Sequence, residues 1–326
     1  MIIDTDLGND IDDALALSMT HAMQNNNECR LLGVAVNKDN KYSPALVDII
    51  NTYYHRGDIE IGIVTDGKTP EDGNFIKPVV EDKIGDKCKY ERTYDDYRQD
   101  AVKMYRKILA GAGDKSLAIV SIGFLTNLAR LLVSDGDEYS ELNGLELISK
   151  KVRLLSVMAG NFTQEAQSSL DIKYAEYNIK YDIKSARFVC RQWPTEIIFS
   201  GLEIGSQIMY PAKSICEDYN WAIYHPVVDA YKLYLPMPYD RQTWDLTAVL
   251  CAVRNPAEYF NISQPGHVDV SEDGVTKFTA GKNGKHRHLI FRPEKKECIQ
   301  NLMIEMCSQK PQESKKIPVA VEREGY

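Results

Sequence analysis

Short apolar, β-branched runs alternate along this chain with amphipathic stretches. The runs at 1–4, 31–36, 59–64, 117–122, 153–158 and 195–200 read as strands. Most are near-continuous rather than alternating, as strands buried on both faces are. Between them, 12–23, 44–55, 96–110, 126–132 and 182–192 carry helical spacing. Strand alternating with helix predicts βαβ units, and so an α/β fold with a mostly parallel central sheet flanked by helices.

Three stretches depart from that rhythm. Residues 67–95 are polar and rich in Gly, Pro and Asp, which predicts a long loop or lid. Residues 220–254 predict two further helices separated by Leu235-Pro-Met-Pro-Tyr239, and 264–292 predict a late β-hairpin with turns at Glu272-Asp-Gly274 and Lys282-Asn-Gly284. No repeat, low-complexity segment or shift in composition marks a linker, so a single domain over 1–326 is expected.

Composition narrows the class. The chain's 326 residues suffice for one large core, and no run of about 18 apolar residues predicts a membrane span. A formal charge of -8 argues against a nucleic-acid surface but not against an uncharged nucleoside. The pair Lys315-Lys316 follows Glu313 and Ser314 and reads as tail decoration. Seven cysteines, an odd number without a CxxC pair, suit reduced thiols and a cytoplasmic location. Met1-Ile2-Ile3 runs straight into Asp4, so the first strand looks clipped. Export after loss of a leader is therefore the alternative.

The chemistry concentrates where the first strand ends. Asp4, Asp6, Asp10, Asp12 and Asp13 fall within ten residues between that strand and an Ala-Leu-rich helix. One or two carboxylates there would serve as helix caps. Five repel one another unless a cation sits among them, and oxygen ligands select calcium or magnesium. Ligand crevices in open α/β sheets lie at the carboxyl ends of strands, where this turn is expected.

The segment Asp4-Thr-Asp-Leu-Gly8-Asn-Asp-Ile-Asp12-Asp13-Ala-Leu resembles the N-terminal fingerprint of the nucleoside hydrolases, Asp-x-Asp-x-Gly-x-Asp-Asp, with two extra residues, most simply Asn9 and Asp10. Further matches follow in order: Arg56-Gly-Asp-Ile59, Gly123-Phe-Leu-Thr-Asn127, Val157-Met-Ala-Gly160, Ala175-Glu-Tyr-Asn-Ile179 with Asp182, Ser200-Gly-Leu-Glu203 and Trp244-Asp245. The resemblance, to inosine-uridine preferring, calcium-dependent ribonucleoside N-glycosidases, implies a Rossmann-like core. It implies a Ca2+ ion held by Asp6, Asp13, Asp245 and the carbonyl of Ile122. A calcium-bound water would be the nucleophile and Asp6 its general base. Asp12 and Asn178 would hold the ribose 2′ and 3′ hydroxyls, with Glu176 and Met158 near the 5′ end. Asn37, with Asn40 competing for the alignment, would be a further ribose contact.

Two departures bear on these roles. Leu170 stands where the family carries Gly-Asn, and Asn161 is the candidate substitute. Trp244 replaces the histidine that serves as leaving-group acid in the nonspecific branch, which resembles the purine-preferring branch and implies stacking on a purine. None of the six histidines falls in a family motif, and the aromatic segment 219–239 is a candidate wall for the base. The expected partner is a small-molecule N-riboside, with no nucleic acid or membrane; a homo-oligomer is left open. Two alternatives remain: a haloacid-dehalogenase-type phosphatase, from Asp4-Thr-Asp6 after a buried strand, and a non-catalytic nucleoside or ribose binder.

Overall fold

The computed structural model describes residues 1–164, 166 and 175–312; Leu170 and the tail lysines lie outside them. All six predicted strands form. β1 (Ile2–Thr5), β2 (Gly33–Lys38) and β3 (Glu60–Lys68) are followed by a small hairpin of β4 (Lys83–Ile84) and β5 (Lys87–Cys88), then by β6 (Leu117–Ile122), β7 (Val152–Met158) and β8 (Glu196–Ser200). The larger strands pair in parallel in the order β3-β2-β1-β6-β7-β8. Every residue of β1, β2 and β6 is buried, which accounts for their unbroken apolar character.

Alternate residues of each strand feed opposite cores. Ile3, Val34 and Val120 pack with the helices Asp12–Asn25, Tyr42–Tyr53, Trp244–Val253 and Lys296–Cys307. Ile2, Ala35 and Ile119 pack with Ala101–Gly111, Thr126–Leu132, Gly144–Lys151 and Ile183–Gln192. The two helices expected within 220–254 form as Pro226–Tyr234 and Trp244–Val253. All seven cysteines are unpaired. Among the described residues no helix is long and apolar enough to cross a membrane.

Other elements differ from expectation. Residues 67–95 are not one loop: β3 runs through Lys68, and Ile76, Val79 and Val80 form the buried stripe of a helix, Ile76–Glu81. Three apolar residues at i, i+3 and i+4 outweigh the polar composition around them. Beyond a short pair, β9 (Met209–Tyr210) with β10 (Arg241–Gln242), the late hairpin is larger than expected. β11 (Asn261–Ile262), β12 (Gly266–Val270), β13 (Thr276–Ala280) and β14 (His286–Ile290) form an antiparallel end to the sheet, and β14 joins β8 in parallel. The alternating burial of β12 shows why: one of its faces meets water.

Candidate active site

β1 lies where the strand order reverses. The chain winds outward through β2 and β3, then resumes on the other side of β1 with β6, β7 and β8. The crevice at such a switch point is framed here by the carboxyl ends of β1 and β6, with Thr5 in register with Ile122. Gly123 follows Ile122, and a methyl placed on it would lie 2.6 Å from the Asp6 amide nitrogen and 2.7 Å from Asn37 Oδ1. Only glycine lets these strand ends approach so closely.

The acidic turn is organised by its own hydroxyl and amide groups. Asn9 N–H donates to the Asp6 carbonyl at 3.2 Å. Thr5 Oγ1 accepts from Leu7 N–H at 3.1 Å and donates to Asp13. Asp12 and Asp13 occupy the first turn of the Asp12–Asn25 helix, and Asp245 the first turn of Trp244–Val253. The helices meet there: Asp245 N–H donates to Asp12 Oδ2 at 3.1 Å. Carboxylate oxygens of Asp12, Asp13 and Asp245 all lie within 4.8 Å of one another, and all three residues are buried.

Burial first, and then the neighbouring carboxylates, pushes Asp12, Asp13 and Asp245 well above the usual range. Burial likewise pushes Asp6 up to about 6 and Asp4 and Glu176 up to about 7. The cationic side chains acting on this group are held by other partners. Lys38 Nζ donates to Asn9 Oδ1 at 2.8 Å and to the Thr69 carbonyl at 2.6 Å. Arg241 pairs in bidentate fashion with Asp10, its Nε 2.9 Å from Oδ1. Three buried carboxylates this close together form an all-oxygen donor set suited to a hard divalent ion.

The expected residues are distributed as follows. Asp13 and Asp245 come together as expected of metal ligands, but the third member of their group is Asp12, expected on the sugar hydroxyls. Asp6 stands beside them with Oδ2 held by Asn9 Nδ2 at 2.7 Å, and its charge acts on Asp12, Asp13 and Asp245. Glu176, Asn178 and Met158 also converge: Asn178 Nδ2 donates to the Met158 carbonyl at 3.0 Å. Glu176 accepts from the amides of Gly160, Asn178 and Ile179 and caps a short helix. Asn37 donates to Asp4 Oδ1 at 2.6 Å and accepts from Phe124 N–H at 3.1 Å, tying β2 to the β6 turn. Asn161 Oδ1 accepts from the amide and hydroxyl of Thr163. Asn40 bonds the Pro70 carbonyl and Asp72 instead.

Trp244 donates its indole N–H to the Leu202 carbonyl at 2.9 Å and Ser206 Oγ at 3.0 Å. The Arg241 guanidinium lies over its ring at 5.0 Å and over Tyr234 at 5.2 Å. Tyr219 and Tyr231 of the aromatic segment are core residues, whereas Tyr234 is half-buried beneath the Arg241 guanidinium. Sequence reasoning missed Lys38, Arg241 and the supports of Asp4, namely Tyr105 and Asn127. A lysine closing an otherwise uncharged strand was the available signal for Lys38.

The Trp244 helix depends on a close approach. A methyl on Gly205 would lie 2.3 Å from Trp244 Cα. Gly205→Ala is expected to displace Asp245, costing about 1–3 kcal/mol of stability and weakening divalent-ion binding. Thermal melts and calorimetric titration check this; parental values in both would show that the contact yields without consequence.

The sequence model of one family, described as inosine-uridine preferring nucleoside hydrolase, matches residues 1–323. No curated protein matches the chain by sequence. Among solved structures it resembles a plant nucleoside hydrolase at 18% identity, covering 94% of this chain and 98% of that one, with a TM-score of 0.68. It also resembles a purine-preferring ribonucleoside hydrolase from Gardnerella vaginalis at 17% identity, with coverage of 94% and 97% and a TM-score of 0.69. An inosine-uridine preferring nucleoside hydrolase from Bacillus anthracis is similar at 17% identity, with coverage of 94% and 98% and a TM-score of 0.68. At these identities the structural likeness speaks for the fold.

Proposed function

Because the chain belongs to the inosine-uridine preferring nucleoside hydrolase family and is thus an N-glycoside hydrolase, we propose that it cleaves the N-glycosidic bond of ribonucleosides, purine ones foremost, with Ca2+ as its metal. The observation that carries this reading is the buried group of Asp12, Asp13 and Asp245 beside Asp6 at the switch point of the sheet. Asp13 and Asp245 hold the ion, with Asp6 and the Ile122 carbonyl completing the set. When bound, Ca2+ positions a water and lowers its pKa. Asp6 takes the proton of the attacking water, and the carboxylates around it stabilise the oxocarbenium-like character developing at C1′.

Asn178 and Asn37 orient the ribose hydroxyls, and Glu176 and Met158 close the 5′ side. Asp12 serves both the sugar hydroxyls and the carboxylate group in which it stands. Asn161 stands in for the family's missing asparagine. Trp244 faces the base and favours a purine. The Arg241 guanidinium over the indole means that a base stacking on that face must share it with, or displace, the cation. The chain works as one cytoplasmic domain on a small molecule, in keeping with its unpaired thiols.

The direct test is a reducing-sugar assay over purine and pyrimidine ribonucleosides, with and without chelator. Ribose release that stops on chelation is the expected result; ribose binding with no release from any nucleoside would sink the proposal. Trp244→Ala is expected to slow purine substrates roughly tenfold more than pyrimidine ones, and equal losses would remove the stacking role.

A further inference from the structure

Asn9 is one of the two residues by which the acidic turn exceeds the family pattern, and its side chain is fully engaged. Its Nδ2 donates to Asp6 Oδ2 at 2.7 Å and to Thr69 Oγ1 at 3.0 Å, while its Oδ1 accepts from Lys38 Nζ at 2.8 Å. The direction of these bonds follows from chemistry. An ammonium has only hydrogens to offer, so the amide oxygen must face Lys38 and the amide NH2 must face Asp6. Lys38 is held in turn: it is 2% exposed and donates at 2.6 Å to the carbonyl of Thr69. Thr69 has a φ of +47°, a conformation that β-branched residues seldom adopt. In that conformation its carbonyl meets Lys38 and its hydroxyl meets Asn9.

We propose that Lys38 and Asn9 are positioning residues for Asp6, fixing the rotation of its carboxylate through the relay Lys38→Asn9→Asp6. The need is electrostatic. Asp6 shares its neighbourhood with Asp10, Asp12, Asp13 and Asp245, and this repulsion would turn an unrestrained carboxylate away. The amide holds one oxygen and leaves the other for water or metal. A base displaced by about 1 Å loses about a hundredfold in rate, so a relay that fixes one torsion can act on kcat without touching substrate. This inference rests on the reading of Asp6 as the base.

The test uses the full chain, saturated with calcium, on the nucleoside it hydrolyses fastest. Asn9→Ala is expected to lower kcat roughly 30- to 100-fold, with KM and the calorimetric calcium Kd within about threefold of the parent. Lys38→Met is expected to lower kcat about tenfold, and Lys38→Arg, which keeps a donor, to recover most of it. Because Asn9 acts through Asp6, the double variant Asn9→Ala/Asp6→Ala should be no slower than Asp6→Ala alone. A kcat within twofold of the parent in Asn9→Ala overturns the relay. So does a loss that adds to that of Asp6→Ala, or one that extra calcium restores. Should Asn9→Ala fail to fold by thermal melt, Asn9→Ser and the Lys38 pair are read by the same criteria. A parental rate in Asp6→Ala would overturn the base assignment itself, whereas a slow Asp6→Ala beside a fast Asn9→Ala overturns only the relay.

Discussion

Asp6→Ala lowers kcat for nucleoside hydrolysis by about a hundredfold to ten-thousandfold, the loss expected when a positioned general base is removed. Asp6 is buried at the carboxyl end of β1, and Asn9 holds one of its oxygens. Nucleoside KM should change much less than kcat, since the proposed sugar contacts Asn178, Asn37 and Glu176 are left untouched. Asp6→Asn sharpens the measurement: it keeps the size of the side chain and removes the basicity, so its rate should fall about as far. Both variants are measured at rising calcium, because Asp6 is also a proposed ligand. A loss that calcium fully reverses would make Asp6 a ligand and not the base. A near-parental rate in both variants would remove it from the chemistry.

Stripped of divalent ions, the protein should melt several degrees higher at pH 6.5 than at pH 8. Asp4 and Glu176 are pushed up to about 7 by burial, and Asp12, Asp13 and Asp245 are raised by burial and by neighbouring carboxylates. A carboxyl whose folded pKa exceeds its unfolded one near 4 binds protons in the folded state that the unfolded chain has released. Its stabilising share is therefore complete below about pH 4 and is lost as pH climbs through the folded pKa. Between pH 8 and 6.5 Asp4 and Glu176 each contribute about 1 kcal/mol, and Asp12, Asp13 and Asp245 act in the same direction. The Met1 amine, lowered by burial to about 6, opposes them as a single group over that interval. His21 and His225, lowered by burial to about 3, and His286, lowered by burial to about 4, also oppose them, more weakly within that interval and more strongly below it, because the unfolded imidazole is half protonated by about pH 6.5 while theirs stays neutral. Calcium at a hundred times its Kd should add about 2.7 kcal/mol at pH 8 and flatten the dependence, because it neutralises the charges that protons otherwise neutralise. Melting temperatures that rise from pH 6.5 to 8 without metal, or that ignore calcium at pH 8, would overturn this account of the carboxylate group.

The strands were legible because a strand buried on both faces must be apolar throughout, and Leu117–Ile122 could hardly read otherwise. The acidic turn was legible because five carboxylates in ten residues have few other uses. What escaped the sequence depends on partners far along the chain. Arg241 looks like a surface cation until it meets Asp10, 231 residues away. Lys38 looks like the end of a strand until Asn9 and Thr69 close over it. The same holds within the turn: a motif orders Asp6, Asp12 and Asp13 along a line, but only the fold shows that Asp12 stands with Asp13 and Asp245. Ile76–Glu81 escaped because its three apolar residues sit in a polar window.

Asp12 and the Asp245 amide that bonds it are separated by 233 residues. At about 5–20 residues per second, a ribosome delivers the first of these partners roughly ten to fifty seconds before the second. Throughout that interval the nascent chain carries clustered aspartates that no helix end has yet come to meet. The closing of the carboxylate group is thus a late event of biogenesis, and a chain cut short before Asp245 would carry the strands of the parallel sheet but lack one of the group's three members.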